Sequence, residues 1–173
     1  MPNFLLKSLT ESDLPVPGAE PWHARPEDPA ITVMTDFRER SSVTTADSAT
    51  IDAALEHMTH AGVRCAIATN DAQRVVGLVT AYDIMSEKPM RYLRAVPGQR
   101  QDVLVRDIMV RIAEWRVADV KDLERSTVAV ISRHFEETRL THIPVMELNP
   151  EGRRQLRGLL SAAKVRRLLS RQG

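Results

Sequence analysis

The sequence predicts an α+β protein of mixed strands and helices, built from two copies of one β-α-β-β-α unit. Two observations predict it. "GLVTAYDIM" (residues 77–85) and "GLLSAAKVR" (158–166) are near-copies of one phrase. Ahead of each phrase similar residues recur in one order: Val43 and Val120, Thr50 and Thr127, Met58 and Phe135, and Ala68 and Val145 all lie 77 residues apart. The phrases themselves lie 81 apart, which places four extra residues in the "ELNPEGRRQ" turn of the second copy. Constant spacing with an insertion confined to a turn is the mark of an internal repeat.

Residues 1–30 hold six of the ten prolines (Pro2, Pro15, Pro17, Pro21, Pro26 and Pro29) and are read as an arm outside the core, because proline lacks the donor that ladders and helices need. Trp22 anchors that arm either to the body or to a partner. The first repeat, 31–94, opens with a short strand at "SSVTT". Ile51, Ala54, Leu55 and Met58 then fall at i, i+3, i+4 and i+7, one apolar helix face. "RCAIAT" and "RVVGLVT" are strands joined by a turn at Asn70-Asp71, and a helix opens at "AYDIM". Pro97-Gly98 marks a linker over 95–102. The second repeat, 103–173, runs through a strand at "RVADV", a helix carrying Val128, Ile131 and Phe135, strands "THIPVME" and "LRGLLS", and a basic last helix "AAKVRRLL".

Twenty-four basic residues balance twenty-three acidic ones, so no global field commits the chain to nucleic acid or to a membrane surface. Cys65 is the only cysteine, which rules out an intramolecular disulfide and suits a reducing compartment. The three-residue apolar run near the N-terminus is too short for a secretory signal, and no stretch approaches the roughly 18 apolar residues of a membrane span. The expected location is the cytoplasm.

The strand-start "VT", the mid-repeat "HIPV" and the closing "GLVTAYD" together resemble the cystathionine-beta-synthase (CBS) domain, which usually occurs as a tandem pair. The resemblance covers about residues 31–170; "LTHIPVME" carries the clearer core motif and "GLVTAYD" the clearer ligand motif. "VRDIM" (105–109) is similar to the segment that leads into such a repeat. The resemblance implies a regulatory module and not an enzyme, with the two repeats packed as a pseudo-twofold pair. It also implies a regulatory ligand containing adenosine (AMP, ADP, ATP or S-adenosylmethionine) in the clefts between repeats, no required cofactor, and a homodimer. With about thirty residues ahead of the first repeat and few after the second, the expectation is a stand-alone module acting on a protein partner, with its mobile parts in the arm and the last helix.

Thr80 and Asp83 carry two readings. As a Ser/Thr-x-x-acid box they cap the helix that follows "GLV", with the acid favoured by the positive end of the helix dipole. In the resembling family the residue matching Asp83 accepts from the ribose diol and the one matching Thr80 faces the phosphate side; a carboxylate can accept two such hydrogen bonds. In the second copy Ser161 keeps the cap position, whereas Lys164 is a donor-only side chain that cannot take a ribose but can pair with a phosphate. One adenosine site is therefore expected around Asp83, and a second that is empty or altered. By position, Thr44, Arg64, Cys65 and Ala66 complete the first site. Lys121, Thr141, His142 and Ile143 complete the second.

His57 and His60 stand three apart on a helix without a third ligand, and no nucleophile constellation or Gly-rich phosphate loop is present, so no metal and no catalytic residue is expected. From Gly152 onward there are seven basic residues (Arg153, Arg154, Arg157, Lys164, Arg166, Arg167, Arg171) and no acid. Without interleaved aromatics this reads as a solvated helix or a face for an acidic partner, and not as a nucleic-acid surface.

Overall fold

The structure, a computed structural model, describes residues 23–170. Trp22, four of the arm's prolines and Arg171 lie outside the described residues. In chain order the elements are β1 (Thr35–Asp36), β2 (Thr44–Ala46), α1 (Ile51–His60), β3 (Cys65–Thr69), β4 (Val75–Thr80), α2 (Ala81–Met85), α3 (Lys88–Ala95), α4 (Val105–Ile108), β5 (Val110–Arg111), β6 (Ala118–Asp119), α5 (Val120–Arg125), α6 (Val128–Thr138), β7 (His142–Leu148), β8 (Arg154–Ser161) and α7 (Ala162–Leu169). They form two four-stranded sheets, in the orders β2-β3-β4-β5 and β6-β7-β8-β1.

The duplicated pattern becomes duplicated structure. Thr50 and Thr127 are the N-caps of α1 and α6, accepting from Ala53 N at 3.3 Å and Val130 N at 3.5 Å. Ile51, Ala54 and Met58 are buried on α1, and Val128, Ile131 and Phe135 on α6, as their spacing requires. Each repeat pairs its first strand in parallel with its second, and the second with the third in an antiparallel hairpin. Both hairpins carry an irregularity at the same place, after Ala68 and after Val145. Ile67 and Leu78 from one sheet and Leu159 from the other form a third apolar cluster, joined by Phe37 and Trp115, that welds the two halves.

Three features differ from the sequence reading. First, the four extra residues do not enlarge the turn. Asn70 and Asn149 start equivalent turns, each side chain accepting from the backbone N of Arg74 or Arg153, and each turn carries one left-handed residue, Gln73 or Gly152. The additional residues are Glu147 and Leu148 on β7 and Arg154 and Gln155 on β8, which lengthen the second hairpin by two rungs.

Second, Val43 and Val120 are not equivalent. Thr45 pairs with Ala68 and Ala118 with Val145, so the opening strands are offset by 73 residues and Thr44 corresponds to Val117. The four residues gained before Thr127 are wound into α5, capped by Asp119, which accepts from Lys121 N at 2.9 Å.

Third, the segments leading into the repeats are exchanged. Met34 and β1 fall within the bounds read for the first repeat but pack on β8 of the second; Met109 and β5 fall within those of the second but pack on β4 of the first. Ala30 N donates to Ser126 O and Val128 N to Asp28 O. In the first half, Val105 N donates to Ala49 O and Ile51 N to Val103 O. The end of the arm is accordingly core: Ala24 and Ala30 are buried with Val33 against α6 and α7, and Ala24 N donates to Leu168 O at 3.0 Å. Val103, Val105 and Ile108 are buried in the first half. Proline's missing donor does not exclude it here, because the neighbouring residues make the bonds.

Candidate nucleotide site

β4 runs into α2 without a loop. Cys65 pairs with Thr80 across the hairpin, and Ala81 N donates to Arg64 O at 2.9 Å, so the start of α2 is fixed to the opening of β3. Thr80 is the N-cap: its hydroxyl accepts from Asp83 N at 3.0 Å and donates to Asp83 Oδ2 at 2.7 Å, while Thr80 N donates to the same Oδ2 at 3.0 Å. This is a complete capping box, and it holds the carboxylate in one rotamer. Thr80 and Asp83 are only 6% and 7% exposed.

The other oxygen, Asp83 Oδ1, lies 2.5 Å from Lys88 Nζ. Sequence reasoning missed Lys88, because a spacing of five residues puts two side chains on no common helix face. They meet because α2 ends at Ser86 in extended conformation and α3 starts anew two residues later. Ser86 Oγ donates to Asp83 O at 2.9 Å and accepts from Lys88 N at 3.2 Å, folding the chain back onto the acid.

Cys65 packs beside Ile67 in the cluster between the sheets. Burial pushes its thiol up to about 12, with the charge of Asp83 adding to the shift. Burial pushes the His142 imidazole below its ordinary value, and the charge of Asp83 acts in the opposite sense. Asp83 thus acts electrostatically on the first residue of β3 and the first residue of β7. His142, assigned by position to the second site, is within reach of the Asp83 charge. Ala66 points to the other face of β3 and is buried in the core formed with α1, whereas Thr44 and Arg64 are exposed.

The second site is less complete. Lys121 sits on α5 and is exposed, displaced from the strand position expected for it. Ile143 is buried in the helix-side core of its own half, and His142 Nδ1 lies 3.1 Å from the exposed Thr141 Oγ1. Ser161 keeps the N-cap position but its side chain makes no capping hydrogen bond, contrary to expectation; the Ala162 N to Thr141 O bond, at 2.9 Å, is kept as the counterpart of Ala81 N to Arg64 O. Lys164 Nζ donates to Met34 O at 3.3 Å and to Thr35 Oγ1 at 3.4 Å. The acid-to-lysine change therefore supplies a donor to the lead-in strand. Arg157 is likewise engaged, with Asp36 and Glu147, so the basic stretch is not a uniform solvated face.

A separate groove of about 300 Å³ lies between α6 and α7, floored by Phe135, Leu140, Ala162 and Val165 and edged by Arg139 and Arg166. Neither Asp83 nor Lys164 lines it. Among the described residues no group of three or more His, Cys, Asp or Glu side chains is placed to hold a metal, and no helix is long and apolar enough to cross a membrane.

The family model of the CBS domain matches residues 32–89. No curated protein matches the chain by sequence. Among solved structures, the chain is similar to CBSX2, a CBS-pair protein from Arabidopsis thaliana, in complex with AMP: 23% identity, 81% of this chain and 94% of that one covered, TM-score 0.55. It is also similar to an uncharacterized conserved protein from Pyrococcus horikoshii (23% identity, 86% and 96% covered, TM-score 0.57). A third is a CBS-domain containing protein from Agrobacterium tumefaciens (16% identity, 90% and 98% covered, TM-score 0.56). Identities this low speak for the fold, and the coverage extends that fold over both repeats. The first repeat is a CBS domain, and the chain as a whole has the mixed α/β fold of the CBS-pair proteins.

Proposed function

We propose that this chain is a regulatory module, not an enzyme, that binds an adenosine-containing nucleotide at Asp83 and thereby changes its affinity for a protein partner, acting as a cytoplasmic homodimer. AMP, ADP, ATP and S-adenosylmethionine are the candidate ligands. The observation that carries the reading is Asp83 itself: a nearly buried carboxylate held by Thr80 through one oxygen, with a half-exposed lysine on the other. Such an acid can take the two donors of a ribose diol without rearranging its backbone. That the AMP complex of CBSX2 shares the fold supports the ligand class. Cys65, His142, Thr80 and Arg64 form its surroundings, with Thr44 and Ala66 at the positions the family resemblance names. The second cleft is altered, since Lys164 is committed to Met34 and Thr35. The switch requires the nucleotide to bind one state more tightly than another, because equal affinity shifts nothing.

The test is a thermal-shift series against the four ligands, NAD and guanine controls, with Asp83→Ala alongside. Stabilisation by an adenosine ligand that vanishes in the variant is expected, since a ligand bound only to the native state raises apparent stability. A second reading, a ligand-free dimerisation or protein-interaction scaffold, is favoured by the completeness of the capping box: Thr80 and Asp83 satisfy each other with no ligand. It predicts no shift with any nucleotide in a protein that melts cooperatively.

A further inference from the structure

Asp83 Oδ2 already has two donors, Thr80 N and Thr80 Oγ1, and Oδ1 has the Lys88 ammonium. Oδ1 is the oxygen with the larger remaining acceptor capacity, and the protein's own cation stands on it. We propose that Lys88 is an internal competitor for the ligand: it occupies the ribose position in the empty protein, and an adenosine ligand binds by displacing it. This rests on the reading of Asp83 as the ribose acceptor.

Three observations point the same way. The two partners differ in exposure: the Lys88 side chain is 38% exposed and that of Asp83 10%, so the lysine can return to water whereas the acid depends on some donor. The pair is also specific to the first repeat. At the offset that maps Asp83 to Lys164, Lys88 maps to Leu169, so the competitor is absent where the acid is absent. Finally, Lys88 opens α3, whose first turn is tied to the acid through Ser86, while its buried Pro89 and its Tyr92 and Leu93 pack on the first core. The backbone of α3, its first turn included, stays anchored by Pro89 and by Ser86, so displacement releases only the Lys88 side chain and requires no refolding of the helix.

The competitor reading differs in sign from the obvious alternative, that Lys88 binds the ligand's phosphate. Calorimetric titration of the full chain with uncharged adenosine and with AMP separates them, using wild type, Lys88→Met, Lys88→Arg and Asp83→Asn. Lys88→Met is expected to bind both probes roughly two- to fivefold tighter, the size of a modest ion pair removed from the competing state. Lys88→Arg is expected to bind no tighter than wild type, and Asp83→Asn to lose binding. Adenosine affinity unchanged in Lys88→Met overturns the proposal and leaves the adenosine reading intact. Weaker AMP binding with unchanged adenosine binding makes Lys88 a phosphate ligand and also overturns it. If neither probe binds any variant, the adenosine reading fails and the competitor with it. Thermal melts of the empty variants report folding, and Lys88→Gln repeats the comparison if the methionine variant is unstable.

Discussion

Gly77 and Gly158 stand at the same place in the two hairpins, opposite Ala68 and Val145, and each lets a lead-in segment cross at close range. A Cβ on Gly77 would lie 2.5 Å from Met109 Sδ and 2.8 Å from Val110 O; one on Gly158 would collide with Thr35 O and Met34 Sδ. Methionine tips give way, but a strand carbonyl does not. Gly158→Ala is therefore expected to cost about 2–3 kcal/mol in urea unfolding, as overpacking of a tight contact does. Asp83 is legible in the sequence as the acid of a capping box, and the structure contains that box. Its capping share is tested without ligand: Asp83→Ala should lose about 1–2 kcal/mol, the scale of a cap, because Thr80 retains only its own half of the box. Cys65 was legible as small but not as inert. Its thiol, pushed up to about 12 by burial and by Asp83, should react with a thiol reagent at pH 8 at least about a hundredfold more slowly in the native protein than in urea.

The extended second hairpin shows what a short insertion can do at the scale of an element. Two of its four added residues, Glu147 and Gln155, meet across the strands at 2.6 Å, and Glu147 Oε2 accepts from Arg157 at 3.0 Å and from Arg38 at 2.7 Å. Arg157 also holds Asp36 through two of its nitrogens, which fastens β1 to β8. The hydrogen bond from Arg157 chiefly holds the Asp36 carboxyl below the usual carboxylate range. For Glu147 burial opposes the shift, but the bonds from Gln155, Arg157 and Arg38 outweigh it, so its carboxyl is lowered too. A carboxyl lowered on folding contributes stability that is present above its unfolded value, about 4, and is lost as pH falls through the folded value. The urea midpoint should therefore drop between about pH 5 and pH 3, and Arg157→Gln should flatten that drop. The same variant should cost about 2–4 kcal/mol at pH 7, because it leaves the largely buried Asp36 without its cation and Glu147 with only Gln155 and Arg38.

At the scale of the whole molecule, the exchanged lead-ins make the halves interdependent. Each sheet takes an edge strand from the opening segment of the other repeat, and the first amide of each long helix donates to a carbonyl ahead of that strand. Removing residues 1–40 takes away Ala24, Ala30, Val33 and Met34 from the second core, and with them the Met34 O and Thr35 Oγ1 that accept from Lys164. Such a truncation is expected to lose cooperative melting in the second half and amide protection along β8, measured by hydrogen exchange, while β3 and β4 stay protected. Protection of β8 equal to that of the full chain would show that the arm's end is dispensable.

The sequence by itself determined the repeat, the β-α-β-β-α order within each copy, the apolar faces of α1 and α6, and the Thr80–Asp83 box. The helix faces and the box are local, written in spacings of three to eight residues, and the repeat is visible because similar residues recur 77 or 81 positions apart. The tertiary structure decided which segment completes which sheet, that four residues became α5 and four became hairpin rungs, and that Lys164 serves β1. It also decided that Lys88 and His142 come under the charge of Asp83. These depend on chain reversals at Ser86 and on the packing of one sheet against another, and a contact between residues that share no helix face or strand register leaves no periodic trace in the sequence.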